Sequence, residues 1–281
     1  MLSPSMKLFY VIFSSVVFFV AGCSHQRPVG QRLDRKGDEI VVAGQYFHTG
    51  TPVVLWTDPG GYDAYRTERR FSPIERASFE WSKVDNPDLS PNRLGLRTNV
   101  LSDEEIALVR GGGWPLELVQ DRVDQFVMHY DVCGISRTCF KVLHDDRNLS
   151  VQFMLDIDGT IYQTMDLKER GWHAGKSNSR SVGIEIANMG TSSPATLAQW
   201  YQKQLDGRMK LTIPARIKET GVRVPGDYYS ARNELIRGEI NGENYAMYDL
   251  TPQQYEALTR LVAAVCTVLP KVTLDYPKDN S

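Results

Sequence analysis

Three residues interrupt apolar runs with groups that can move protons or hold a metal: His129 after Phe126-Val127-Met128, His173 in Trp172-His173-Ala174-Gly175, and Glu185 between Ile184 and Ile186. A carboxylate between isoleucines is costly unless it is paired, protonated or beside a metal. Glu185 is therefore a candidate general base or acid with a tuned pKa. A lone histidine after a strand is usually structural; a second histidine and a glutamate in company point to a site. Cys133 and Cys139 bracket a polar turn, Gly134-Ile135-Ser136-Arg137-Thr138, that can bring their Cβ atoms within bonding distance. A local disulfide is the expectation there, and a zinc thiolate pair the competing reading, although the cysteine spacing is wider than usual for one. Cys266 sits in an apolar helical pattern and reads as a buried free thiol. A thiol peptidase led by Cys133 or Cys139 with His129 or His173 is disfavoured by the same turn. No Gly-x-Ser-x-Gly elbow supports a serine hydrolase.

These groups need a frame. Residues 125–130 read as a buried strand, 139–143 as a helical or turn segment, and 151–157 as a second strand. Asp156-Ile157-Asp158-Gly159 turns into 160–164 as a hairpin, and 181–187 is a further strand. Ser102 caps a short helix over 103–110 that runs into Gly111-Gly112-Gly113. Thr251, Pro252 and Gln254 form a capping box for a last helix, with Leu258, Leu261, Val262, Val265 and Leu269 as its apolar face and Pro270 as its stop. Strands alternating with helices predict an α/β fold, a mixed central β-sheet flanked by helices. Residues 190–248 are too long for an ordinary loop and read as a partly structured insertion before the last helix, walling one side of a cleft.

The chain opens with an address. Lys7 precedes an apolar run that closes on Val20-Ala21-Gly22-Cys23, too short for a comfortable membrane span. The segment resembles a bacterial lipobox, which implies a signal peptide over 1–22, a lipid anchor on Cys23 and, with Ser24 next, the outer membrane facing the periplasm. Residues 23–40 suit a tether, 41–120 an N-terminal extension, and 121–281 the catalytic domain. A net charge of −2 in 281 residues leaves no electrostatic footprint for nucleic acid. His25, His48 and His144 read as surface residues.

The series His129-Tyr130, Leu149-Ser150-Val151-Gln152-Phe153, Asp158 to Gln163, Trp172 to Gly175, Asn178 and Ser181 to Glu185 resembles the type 2 N-acetylmuramoyl-L-alanine amidases, which share the peptidoglycan-recognition-protein fold. The resemblance runs from about 126 to 270. It implies a zinc amidohydrolase of the cell wall that cleaves between the muramic acid lactyl group and L-alanine of peptidoglycan stem peptides. His129 matches the first zinc ligand, and Glu185 the acid that activates zinc-bound water. His173 matches a histidine that lines the cleft, and Tyr162, Trp172 and Asn178 are the other expected substrate-binding residues, with core packing as the competing reading for Tyr162 and Trp172. Gln152 departs from the family, which often has histidine there, and takes no metal role. Val151 stands where another branch has its tyrosine. The family's second and third ligands have no match after His173, so the chain reads as truncated. Two alternatives follow: a catalytically silent peptidoglycan-binding lipoprotein, or a substitute metal site of His129, His173 and Glu185.

Overall fold

The computed structural model describes residues 27–66 and 97–276. The expected signal peptide, Cys23 and His25 lie outside them. Among the described residues no helix is long and apolar enough to cross a membrane.

A five-stranded mixed sheet holds the molecule together, in the order β3-β6-β5-β7-β4. Its strands are β3 (Val53–Leu55), β4 (Gln125–Tyr130), β5 (Phe153–Leu155), β6 (Ile161–Gln163) and β7 (Ser181–Ile186). β4 and β5 both run parallel to β7, β5 and β6 form the expected antiparallel hairpin, and β3 runs parallel to β6. β3 comes from the segment read as an extension, so that segment is built into the sheet. Before it, β1 (Glu39–Val42) and β2 (Gln45–His48) make a hairpin. The expected tether is bound well before residue 40: Gly30 N donates to His48 O and Leu33 N to Tyr46 O.

Alternation decides which side chains meet which layer. Phe153, Leu155, Val182 and Ile184 point to one face and are fully buried. They pack on Ala257, Leu261, Ala264, Val265 and Val268 of the last helix, each large side chain contributing about 1.5–3 kcal/mol by leaving water. The other face carries Met154 and Tyr162 against Val54, Tyr62 and Phe140.

The helices start where their caps say. α1 (Asp103–Gly112) has a Ser102–Glu105 capping box and ends at Gly113, whose φ of 101° suits only glycine. α2 (Leu116–Arg122) leads into β4. α3 (Ser136–Phe140) continues into a π-helical turn over Lys141–Asp146. The insertion opens with α4 (Pro194–Trp200) and holds a three-stranded sheet of β8 (Tyr201–Lys203), β9 (Met209–Leu211) and β10 (Tyr228–Tyr229). A hairpin of β11 (Ile236–Ile240) and β12 (Glu243–Met247) follows. Its core, with Trp200, Tyr201 and Met209, closes on Ile135, Ala187 and Met189. α5 (Pro252–Val268) carries the Thr251–Gln254 capping box and proline at its start.

Candidate active site

β4 and β7 bring the two leading residues together. In their parallel register His129 pairs with Glu185, so both side chains leave the same face near the carboxyl ends of the strands, where α/β sheets place ligands. Burial moves both groups toward neutrality. Glu185 is pushed up to about 7, with Arg147 opposing weakly. Burial alone holds His129 below the usual imidazole value, and its Nε2 is buried without a hydrogen-bond partner.

His173 stacks on His129, with ring centroids 5.9 Å apart and planes at 21°. Two glycines cut its slot. A Cβ on Gly183 would fall into the His173 ring, and one on Gly171 would lie 2.6 Å from Nε2. Gln152 then sets the ring's protonation. Its Oε1 accepts from Gly183 N at 2.9 Å, and its Nε2 donates to Glu169 O at 2.9 Å, so the amide can be placed only one way round. The same Oε1 lies 2.6 Å from His173 Nε2. An acceptor there requires the proton on Nε2 and leaves Nδ1 bare, buried and unpartnered. Burial, then the neighbouring His129, Arg97 and Arg170, push His173 down to about 3, so the ring is neutral at physiological pH.

The comparisons bear on this stretch. A family model described as N-acetylmuramoyl-L-alanine amidase matches residues 119–206. The match begins in α2, spans β4 to β7 and ends just after β8, so it contains His129, Gln152, His173 and Glu185. It supports an amidase-type function acting on peptidoglycan. No curated protein matches the chain.

Within the amidase match, two expected substrate contacts fall elsewhere. Tyr162 is only 1% exposed, stacks on Tyr62 with centroids 4.2 Å apart and donates its hydroxyl to Gly221 O. It is a core residue, because its side chain faces the layer under the insertion. Asn178 is also buried; its Oδ1 accepts the N–H groups of His173 and Ala174 at 2.8 Å, so it shapes the Trp-His-Ala-Gly loop from below. Trp172 stays partly exposed under the Arg170 guanidinium, 4.4 Å from its ring centroid, with a buried, unpartnered Nε1–H.

Beneath the site Asp131 Oδ1 accepts from Cys133 N, Gly134 N and Asn188 N. Burial drives this carboxyl up to about 7, against those three donors. Cys133 and Cys139 are free thiols beside one another, and Cys139 is held well above the usual thiol range by its hydrogen bond to Cys133 and by burial. Cys266 is free and half-buried.

Zinc can be tested against the donors present. His129 offers one unpartnered imidazole nitrogen of the right kind. Among the described residues the groups with three ligand atoms close enough for one ion are Asp131–Cys133–Cys139 and Asp38–Glu39–His48; neither contains His129. His129, His173 and Glu185 do not form such a group, which removes the substitute site. Three-ligand zinc at His129 is not met by the described residues.

Two histidines expected at the surface are buried instead. His144 is fully enclosed, stacks on Phe140 at 4.8 Å and lies 3.1 Å from both Asp145 Oδ1 and Arg66 O. His48 packs in the N-terminal hairpin opposite Glu39. Each follows an apolar residue whose pattern carries it inward.

Sequence reasoning missed one support. Arg97 is fully buried and donates to the carbonyls of Leu167, Lys168, Glu169, Asn178, Ser179 and Ser181. Burial lowers its guanidinium to about 9. It ties the Glu169 loop that orients Gln152 to the start of β7. No local pattern marks such a residue, whereas Gln152 was visible as polar within a buried strand pattern.

Proposed function

We propose that the chain is an N-acetylmuramoyl-L-alanine amidase that hydrolyses the amide between the muramic acid lactyl group and L-alanine of peptidoglycan stem peptides. In this reading it is a lipoprotein anchored through Cys23 in the outer membrane, facing the periplasm. The observation that carries the reading is the His129–Glu185 register pair, with a carboxyl titrating near neutrality, inside the amidase match.

The residues divide the work by their chemistry. Glu185 as carboxylate takes a proton from the attacking water; the C–N bond breaks, and the proton passes to the departing alanine nitrogen. A carboxyl near 7 can do both, because its charged and neutral forms are comparably populated at neutral pH. His129 is the residue that would hold zinc by the family resemblance, although the described residues complete no three-ligand set around it. Neutral His173, seated on Gly183 and stacked on His129, is a positioning residue that keeps a second positive charge away from the Glu185 side of the site, and Trp172 supplies a partly exposed apolar surface beside it. The Cys133–Cys139 bridge is proposed as the oxidised state of the two adjacent thiols in an exported compartment.

A second reading has its own observation. The described residues give His129 no companion ligands, which favours a protein that binds peptidoglycan in the same cleft without cleaving it. Incubating the purified chain and its Glu185→Gln variant with muropeptides, and following free stem peptide and zinc content, separates the two. Release of stem peptide, lost in the variant, supports the amidase. Retention of peptidoglycan by both proteins with no release rejects it.

A further inference from the structure

The N-terminal hairpin carries a polar cluster that the amidase reading does not use. Glu39 and His48 are directly opposed across the β1–β2 ladder. Asp38 precedes them, and Thr49 secures its backbone by donating N and Oγ1 to Asp38 O at 2.9 and 2.8 Å. One ligand-type atom from each of Asp38, Glu39 and His48 lies within 4.8 Å of the others.

The partners of these atoms are distributed one-sidedly. Glu39 Oε2 accepts from the N–H groups of Lys36, Gly37 and Asp38 at 2.6, 3.0 and 3.2 Å, and Arg35 approaches it at 3.5 Å. Oε1 of the same fully buried side chain has no partner. Asp38 Oδ1 is also buried, close to the Glu39 carboxyl, and His48 Nδ1 is buried with Asp38 Oδ2 as its close partner at 3.1 Å. Positive charge nearby is already engaged. Arg35 bonds Glu39 through Oε2 and the carbonyl, pairs with Asp58 and donates to Val53 O, and Arg260 pairs with Glu256. Two buried carboxyl groups this close together beside an imidazole need either a shared proton or a cation held among all three.

We propose that Asp38, Glu39 and His48 bind one divalent transition cation of the zinc class, stapling the N-terminal hairpin. The donor set selects the class. An imidazole ligand disfavours calcium and magnesium, which take oxygen alone, and the absence of thiolate from the set disfavours copper(I). Three protein ligands around zinc leave a fourth position for water.

The test uses the full chain in detergent, stripped with chelator and titrated with Co2+ and then Zn2+. The expected result is a cobalt spectrum with visible d–d bands and no thiolate charge-transfer band. That signal is lost in Glu39→Gln and His48→Gln but kept in His129→Ala and in a Cys133→Ser, Cys139→Ser double variant. Zinc at a hundredfold excess over Kd should raise Tm by about 5 °C in the His129→Ala variant, and this rise should vanish when His48→Gln is added. Absence of cobalt binding would overturn the proposal, and so would binding that follows only His129 or the cysteines. A proton shared between Asp38 and Glu39, seen by carboxyl NMR and unchanged by zinc, would overturn it too. The cobalt spectrum of a His129→Ala, Cys133→Ser, Cys139→Ser variant, which leaves the hairpin untouched, decides the matter even if Glu39→Gln or His48→Gln fails to fold.

Discussion

The two faces of the central sheet obey different rules. Toward α5, Phe153, Leu155, Val182 and Ile184 are sealed from water and carry nothing polar. On the opposite face the β4–β7 pairs run Gln125 with Ser181, Val127 with Gly183 and His129 with Glu185. There Gln125 Oε1, Ser181 Oγ, His129 Nε2 and, above Gly183, His173 Nδ1 are buried without partners. Each such atom costs about 1–3 kcal/mol. The apolar face therefore offsets what the polar face gives up, and the same two strands serve stability on one side and binding on the other.

The contrast is broken most severely by Glu185→Gln, which should lower the rate of stem-peptide release by about 10²- to 10⁴-fold with the fold intact. A variant keeping a tenth of the rate would remove Glu185 from the chemistry. On the other face Leu155→Ala should cost about 2–5 kcal/mol in urea unfolding, while the folded fraction keeps its substrate affinity. Loss of affinity without loss of stability would reverse the assignment of faces.

A pH series sharpens the comparison. Burial raises the folded pKa of Glu185 from the ordinary 4.5 to about 7, so the native state holds this proton more tightly than the unfolded chain. The resulting stability is fully present below about 4.5 and declines as pH rises through 7. With chelator present, the wild type should lose on the order of 2 kcal/mol over that window relative to Glu185→Gln, after discounting for partial exposure. Equal pH profiles for the two proteins would mean that Glu185 is charged when buried. The smallest effect is expected from Gln152→Leu, about 1 kcal/mol in stability. Its real readout is nitrogen NMR of His173: the wild type should show the proton on Nε2, and the variant a mixture. A mixture in the wild type would remove the role given to Gln152.

Legibility followed range. Strand positions, the β5–β6 hairpin and the Ser102 and Thr251 N-caps are local patterns, and all appear at or within two residues of their expected places. The alignment of His129 with Glu185 was inferable because both close apolar strand segments in the amidase-like series. Tyr162 and Asn178 misled because a motif position says nothing about which way a side chain points once an insertion covers it. His48 and His144 misled because a polar residue beside apolar ones can be drawn inward. Arg97 was illegible because its partners lie at least 70 residues away; the apolar runs of 39–56 read as small strands or loops, but the pairing of β3 with β6, more than 100 residues on, left no local mark.

The placement of β3 also limits how the molecule can be divided. Val53, Val54 and Leu55 cover the outer edge of β6, and Gln163 at the end of β6 exchanges side-chain hydrogen bonds with the backbone of Val41. A fragment trimmed to the matched residues 119–206 would bare a row of backbone donors and acceptors along β6 and strip α5 from the apolar face. Raw strand edges recruit other chains, so the excised core would be a seed for aggregation rather than a minimal enzyme.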